Sequence, residues 1–316
     1  MSKFFAWFAT PVGKKFVGIA AVTTTCGVFS AHYFPQTFLL KNYYHDFVTM
    51  RKNGNPLPVT PKLTALVNEV FDDLKLDEYK RVIIKPFMVF GFDVWHAGFL
   101  SSRFGSLIGL PINFTYTDEK LINKESILIN NEPVEWNSEE AKQLIDSLML
   151  SEEAKKYAIA REILMTDNTN VTTQAIVSSL LVGACYGFTS HLNESLKNFQ
   201  KPQSLRVLFY GIMGTFFWGL WTMQKDAWTR YIEADVDKLL AQLGPVYVKG
   251  GHEYYEKLAK RNAALRRLLG GEGQNLYTAN GNEVIWLRQK RLPVSYRKQY
   301  FGDLLKNYEV TNAQAS

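Results

Sequence analysis

The chain has 316 residues, a formal net charge of +6 and a mean hydropathy of −0.14. The low mean hydropathy indicates that most of the chain lies in water, which excludes a polytopic transporter. The positive charge suits an anionic membrane surface better than nucleic acid, because no basic stripe alternates with aromatic residues. The two cysteines, Cys26 and Cys185, lie in apolar segments, which excludes a zinc module, a thiol oxidoreductase and a cysteine-based copper carrier.

Residues 1–40 are predicted to be a basic segment followed by a transmembrane anchor. The first fifteen residues contain three lysines and no acidic residue, and Phe16 to Leu40 has no charged residue. This apolar run exceeds a typical signal-peptide core, so an uncleaved anchor with its lysine-bearing end inside is favoured. The acid-free start is also compatible with mitochondrial import.

Residues 41–167 are predicted to be a soluble α+β part. An amphipathic helix follows Pro61, residues 82–95 have the composition of one or two strands, and Asn130–Asn131 is a hairpin turn. Ser151 is a good N-cap for a charged helix that continues to Met165.

Residues 168–224 are predicted to be a transmembrane hairpin, with spans at about 171–191 and 207–224. Two spans return the chain to the side that it left, so residues 41–167 and 225–316 are expected on one shared side. With the lysine-bearing end of a mitochondrial inner-membrane protein inside, that side is the intermembrane space. The basic residues near Lys41 and at the carboxyl end oppose this orientation.

Residues 225–316 are predicted to be a helical part with a β-hairpin and a basic tail. A helix from Lys225 ends at Gly244–Pro245, a second begins after Gly250–Gly251, and Asn280–Gly281 is a hairpin turn. The tail from Arg288 to Lys306 is expected to be a solvated or headgroup-facing surface.

One segment has the layout of a zinc-peptidase motif, in which two histidines on one helix bind zinc and an intervening glutamate activates water. The order of elements resembles HtpX-like membrane metallopeptidases, but Arg161 and Met165 replace the histidines around Glu162. On the later helix Tyr231 replaces the third ligand, beside Glu233 and Asp235. A guanidinium repels a metal ion, so we expect an inert site without cofactor or metal, in which Arg161 pairs with Glu233 or Asp235.

The C-terminal block GGHEYYEKLAKRNAALRRLLGGEGQNLYTANGNEV, residues 250–284, closely resembles the transmembrane protein 177 family of the mitochondrial inner membrane. The strings KPFMVF, HAGF, GLPINF and LSEEAKKYAIAREI agree in order. The resemblance implies a non-enzymatic, multi-pass protein that acts in cytochrome c oxidase subunit II biogenesis. Its implied partners are the new subunit, its Cox20-type chaperone and the lipid bilayer.

The expected fold class is therefore an α+β membrane protein: an anchor helix and a soluble domain interrupted by a helical hairpin, in a degenerate metallopeptidase-like layout. Small residues on the two hairpin spans provide a face for a partner's helix or for packing of the hairpin itself: Gly183, Ala184, Gly187, Gly211, Gly214 and Gly219. We expect a charged residue at Gly214 to disrupt function and Glu162→Gln to leave it intact. A membrane peptidase or other hydrolase with an atypical site, and a passive membrane scaffold, are the alternatives.

Overall fold

The computed structural model describes residues 7–129 and 132–315, and helices dominate it. Ten helices are labelled in chain order: α1 (Pro11–Tyr33), α2 (Pro61–Asp73), α3 (Glu78–Ile83), α4 (Glu139–Leu148), α5 (Glu152–Thr166), α6 (Asn170–Ser195), α7 (Gln203–Gln242), α8 (Pro245–Leu268), α9 (Gly271–Leu276) and α10 (Val294–Ala315). Shorter helical turns at Leu40–His45 and Asp46–Val48 follow the first helix.

The strands form one small mixed sheet and two short hairpins. Strands β3 (Ile84–Val89), β4 (Trp95–Gly98) and β5 (Ser106–Pro111) make the sheet, in which β5 lies between the other two, parallel to β3 and antiparallel to β4. The hairpins are β1 (Arg51–Lys52) with β2 (Asn55–Pro56), and β6 (Leu128–Ile129) with β7 (Glu132–Pro133). The predicted turn at Asn130–Asn131 lies outside the described residues.

One hydrophobic core joins the segments that precede and follow the predicted membrane hairpin. Leu63, Ile108 and Tyr157 belong to the same buried cluster as Leu240 and Phe301. Helix α5 packs against α2, the sheet, α7 and α8, and α8 packs against α10. Because residues 41–167 and 225–316 share this core, both must lie in one compartment.

Two helices, Pro11–Tyr33 and Asn170–Ser195, are long and apolar enough to cross a membrane by length and composition. The third predicted span, residues 207–224, does not pass the same test; its tryptophans, threonines and glycines dilute its aliphatic residues. If α6 crosses a bilayer, however, the first half of α7 must return across it, because the residues on either side of the pair share one core. That half exposes Val207, Leu208 and Phe216, as a lipid-facing surface would.

The structure corrects several predicted boundaries. The predicted helix start at Lys225 is wrong, because Lys225 lies inside α7, which runs without a break for 40 residues from Gln203 to Gln242. Helix α8 starts at Pro245 and contains Gly250 and Gly251, which were expected to precede it. The hairpin around Asn280–Gly281 is reduced to one bridge between Tyr277 and Glu283.

The predicted solvated tail is also wrong, because residues 294–315 form helix α10 and several of its side chains enter the core. Phe301 is fully buried, and Arg297 is buried in ion pairs. The strand expected after the Asn280–Gly281 turn is an irregular segment in which Ile285, Trp286 and Leu287 are exposed.

Candidate functional site

Helix α5 carries the centre of the site, and its first turn is closely held. The Ser151 hydroxyl accepts a hydrogen bond from the amide of Ala154 at 3.1 Å, as an N-cap does. The carboxylate of Glu253 on α8 accepts a bond from the amide of Ser151 itself at 2.9 Å. Since the helix start is held in this way from both sides, Arg161 and Glu162, near its other end, occupy defined positions.

Arg161 connects two buried carboxylates on different helices. Its guanidinium donates hydrogen bonds to the adjacent Glu162 and, over 3.3 Å, to Oε1 of Glu233 on α7. The Glu162 and Glu233 side chains are 3 % and 2 % exposed, respectively, so solvent screens these pairs weakly. Of the two carboxylates predicted as partners of Arg161, Glu233 forms the ion pair, whereas Asp235 is exposed on the opposite side of α7.

His96, on strand β4, contributes a further contact that joins the sheet to the helices. Its Nδ1 hydrogen-bonds Oε2 of Glu162, and about a third of the His96 side chain is exposed. Glu162 thus has a partner on each oxygen, Arg161 on one and His96 on the other. His96 marks the accessible edge of an otherwise buried cluster.

Arg297 on α10 extends the cluster toward the carboxyl-terminal helices. It forms two hydrogen bonds of 2.6 Å with Asp237 and lies 3.6 Å from Oε1 of Glu233. Tyr157 donates to Asp237 at 2.7 Å and is 3.0 Å from the hydroxyl of Tyr255, whose ring lies under the Arg297 guanidinium. The other Glu233 oxygen accepts from the Leu292 amide at 2.8 Å, which completes this chain of contacts.

The charges in this cluster nearly balance. Glu162, Glu233 and Asp237 face the guanidiniums of Arg161 and Arg297, and His96 hydrogen-bonds Glu162 at the edge of the cluster. Burial alone would raise the pKa of Glu162, but the field of Arg161, followed by that of His96, outweighs it and lowers the pKa to about 2. Burial would lower the pKa of Arg161, but Glu162, followed by Tyr255 and Glu233, raises it well above its ordinary value. The cluster is thus a buried network of ion pairs and hydrogen bonds that connects β4, α5, α7 and α10.

The remaining residues of the peptidase-like set stay outside the cluster. Met165 packs against the hydrophobic core, and Tyr231 is 60 % exposed. Among the residues that the structure describes, no group of three histidine, cysteine or acidic side chains is placed to hold a metal ion. Arg161 lies between the carboxylates of Glu162 and Glu233, so a cation would have to displace its guanidinium.

The six small residues of the predicted hairpin face do not share one environment. An added Cβ at Gly183 would lie 3.8 Å from Thr25 on α1, so this glycine packs within the chain. Gly187, Gly211, Gly214 and Gly219 have no atom within 4 Å of such a Cβ, and Gly214 lines a cavity between the apolar helices. Ala184 lies on the same span, directly after Gly183 and three residues before Gly187.

Sequence reasoning missed three members of the cluster: His96, Asp237 and Arg297. His96 had no ligand-like spacing to any other histidine, and Arg297 lay in a segment interpreted as a basic surface. A usable signal was present around Arg297, because Tyr300, Phe301, Leu304, Leu305 and Tyr308 recur at helical spacing and form the face that packs on the core.

Comparison with known proteins identifies relatives along most of the chain. The profile of the family "Transmembrane protein 177" matches residues 88–287. Proteins of that name are 32 % identical over 247 residues in Mus musculus, covering 78 % of each chain, and 31 % identical over 293 residues in Danio rerio, covering 90 % of this chain and 92 % of the relative. The Xenopus laevis protein is 28 % identical over 98 % of this chain and all of its own. No solved structure matches.

Proposed function

Because the chain belongs to the transmembrane protein 177 family, we propose that it is a non-enzymatic assembly factor of the mitochondrial inner membrane. In this proposal it acts in cytochrome c oxidase subunit II biogenesis and stabilises the new subunit and its Cox20-type chaperone. The observation that carries the non-enzymatic part is the position of Arg161 between Glu162 and Glu233.

The electrostatics of Glu162 support an inert site. An effective general base has a pKa near the pH at which it works, and the pKa of Glu162 is lowered to about 2, chiefly because Arg161 outweighs the effect of burial. Both of its oxygens are already engaged, one by Arg161 and the other by His96. Glu162 is therefore suited to holding elements together and poorly suited to activating water.

The proposal includes a degenerate metallopeptidase scaffold, reused for assembly. Its support is the placement of Glu162 and Glu233 on helices that flank an apolar hairpin, with Arg161 at a ligand position. Arg161 then replaces the metal ion as the positive charge between the two carboxylates. The guanidinium of Arg161 would then neutralise the two buried carboxylates without a bound metal ion.

Partner binding is assigned to the membrane-facing part of α7. Gly211 and Gly219 have open space around them and lie outside the cavity between the apolar helices, so another helix can approach their backbone closely. The soluble domain contacts the chain just after the carboxyl-terminal end of α1, where Gln36 accepts a hydrogen bond from the Gly98 amide at 2.7 Å. A new subunit's span and its soluble segment would then be held on one platform.

Affinity purification of the tagged protein from detergent-solubilised mitochondria, with elemental analysis of the same eluate, tests this function. We expect stoichiometric subunit II and its chaperone without stoichiometric metal, and less subunit II with Gly211→Leu. The exposed Asp235→Asn serves as a control that leaves recovery unchanged. Recovery of the protein without subunit II would favour a passive scaffold and contradict the proposal.

The alternative is a membrane peptidase or other hydrolase with an atypical site. The partly exposed contact between His96 and Glu162 favours it, since a histidine beside a carboxylate is a common acid–base pair. One zinc ion per chain without oxidase partners, or loss of function with Glu162→Gln in a folded and abundant protein, would establish this alternative.

A further inference from the structure

A cavity of about 1540 Å³ lies between the three apolar helices, away from the ionic cluster. Helix α6 packs against both α1 and α7, and all three helices line the cavity. Its volume exceeds the roughly 300–1,000 Å³ that is usual for pockets that hold drug-sized ligands. Its middle is apolar, with a lining that includes Val17, Val22, Leu181, Val182, Met213 and Phe217.

The two ends of the cavity differ in chemistry. At the end near the soluble domain, Ser178 is 3.0 Å from Nε2 of His32 and accepts a hydrogen bond from the Trp221 indole at 2.8 Å, so these groups satisfy one another. At the other end, the charged lining residues are Lys14, Lys15, Glu194 and Arg206, three positive charges against one negative.

Arg206 is the most informative residue at the charged end. It is 5 % exposed and lines the cavity, yet its Nε and Nη2 atoms have no hydrogen-bond partner in the described part of the chain. A buried guanidinium that lacks an acceptor is costly, and this one lies in the first turn of α7, where the helix dipole also disfavours a cation. An anion at this point would satisfy both the guanidinium and the helix start.

The single carboxylate at this end does not supply that anion. Glu194 is paired with Lys14 at 2.9 Å, and both side chains are largely exposed. The Arg206 guanidinium lies instead over the ring of Phe199, 5.9 Å from its centroid. A ligand that brings its own anionic oxygens therefore complements the site, with Lys15 as a second cation among the residues that line the cavity.

We propose that this cavity binds an anionic phospholipid, with the phosphate at Arg206 and Lys15 and an acyl chain along the apolar lining between α1, α6 and α7. The ends of these helices lie at headgroup level in a membrane, where phosphate oxygens are available, and basic pockets between transmembrane helices bind such headgroups. A free phosphate would satisfy Arg206 but would leave the apolar part of the cavity unfilled. Lipid binding at this site is independent of the oxidase-assembly role and requires no protein partner.

The test measures lipid binding to the purified full-length protein in detergent. Native mass spectrometry detects the bound lipid, and thermal unfolding measures the shift in melting temperature. The probes are dioleoyl phosphatidylglycerol, dioleoyl phosphatidylcholine with the same chains, and inorganic phosphate. We expect one tightly bound phosphatidylglycerol and a raised melting temperature, weaker binding of phosphatidylcholine, and no shift with phosphate. Equal binding of the two lipids, or an equal shift with phosphate, would overturn the proposal.

Two pairs of variants locate the binding site. Arg206→Gln removes the buried cation and should weaken phosphatidylglycerol binding about tenfold or more, whereas the exposed Lys201→Gln outside the cavity should leave it unchanged. Gly214→Leu fills the cavity, whereas Gly211→Leu adds the same bulk outside it, and each glycine has open space for a side chain. Only Gly214→Leu should lose lipid.

The alternative occupant of the cavity is the helix of a partner protein. A diazirine-bearing amino acid of similar size in place of Met213, which lines the cavity, distinguishes the two in the native membrane, because it reacts with the occupant without filling the cavity. A lipid adduct supports the proposal, and a protein adduct in its place overturns it. Gly211→Leu reports separately on the assembly role, since it is expected to lower subunit II recovery while retaining lipid.

Discussion

Glu162 and Arg161 are neighbours in sequence, and each also contacts a distant part of the fold. Glu162 reaches His96 on the sheet, and Arg161 reaches Glu233 on α7. Removing one member of a buried pair leaves an uncompensated charge, at a cost of about 3–5 kcal/mol. Replacing both members with apolar residues avoids most of that cost. The main role that the structure supports for Glu162 and Arg161 is therefore to stabilise the fold.

A double-mutant cycle checks this assignment. Glu162→Gln and Arg161→Met should each lower the free energy of unfolding by several kcal/mol, whereas the double variant should lose less than the sum by about 0.5–3 kcal/mol. Thermal unfolding in detergent, monitored by circular dichroism, measures the difference. Strictly additive losses would mean that the two side chains are not energetically coupled. The earlier expectation for Glu162→Gln is accordingly refined: function persists in proportion to the folded protein that remains.

The pH dependence of stability provides a second check on Glu162. Its pKa falls from 4.5 to about 2 in the folded chain, because Arg161 and His96 outweigh the effect of burial. A lowered carboxyl pKa contributes stability that is complete above the unfolded value and is lost as the pH falls toward the folded value. The contribution here is roughly 3 kcal/mol.

The stability difference between the wild type and Glu162→Gln should therefore shrink as the pH falls from about 4.5 toward 2. Equilibrium unfolding by denaturant at a series of pH values measures it. A difference that disappears between pH 8 and 5 would show that another titrating group, not the Glu162 carboxylate, dominates.

At the scale of elements, close approach between helices explains two glycines inside α8. A Cβ on Gly250 would lie 2.2 Å from the backbone oxygen of Glu153 at the start of α5. A Cβ on Gly251 would lie 2.9 Å from the rings of Tyr157 and Phe301. The two glycines thus allow α8 to contact α5 and α10 with almost no gap. The packing gained outweighs their low helix propensity.

Gly250→Ala should consequently destabilise the protein by about 1–3 kcal/mol, because the added methyl group meets backbone that cannot rotate away. Gly271→Ala is the matched control, since its Cβ would have open space at the start of α9. Its effect should stay within about 1 kcal/mol. Thermal unfolding of the two variants compares them directly, and a neutral Gly250→Ala would contradict the close contact.

Local patterns predicted some elements well and others poorly, for physical reasons that differ between them. The helix after Ser151 was predicted because cap and periodicity agree within a few residues. The extension of α8 through Gly250 was missed because glycine disfavours a helix locally, and only contact with α5 justifies it. Helix α10 was missed because its basic residues were weighed above its apolar face.

In the site, too, contacts that follow from sequence order were predicted, whereas those that depend on tertiary packing were missed. The pairing of Arg161 with a carboxylate on the later helix followed from the order of the elements. The contributions of His96 and Arg297 depend on how the sheet and α10 pack around α5, which no short sequence spacing encodes. For the same reason the unpartnered Arg206 became informative only once its surroundings were known.

At the scale of the whole molecule, the shared core and the apolar helices define a topology. The soluble parts lie at one end of α1, α6 and α7, and the loop between α6 and α7 lies at the other end with Lys14, Lys197 and Lys201. The positive-inside rule then favours the loop on the inner side of the membrane, which is the matrix side in the proposed location.

Cysteine labelling tests this topology. In a background of Cys26→Ser and Cys185→Ser, Glu272→Cys should react with an impermeant maleimide in mitochondria that lack the outer membrane. Lys201→Cys should react only after detergent is added. Both side chains are exposed, so access to the reagent depends on the membrane alone. Labelling of both sites before detergent would contradict a membrane hairpin.

The most direct test of the assembly role is the lifetime of newly made oxidase subunit II, measured by pulse-chase labelling in cells that lack this protein. We expect a shortened lifetime that is restored by the wild type and by Asp235→Asn, but restored only weakly by Gly211→Leu at equal abundance. An unchanged lifetime of subunit II in the absence of the protein would contradict the proposed assembly role.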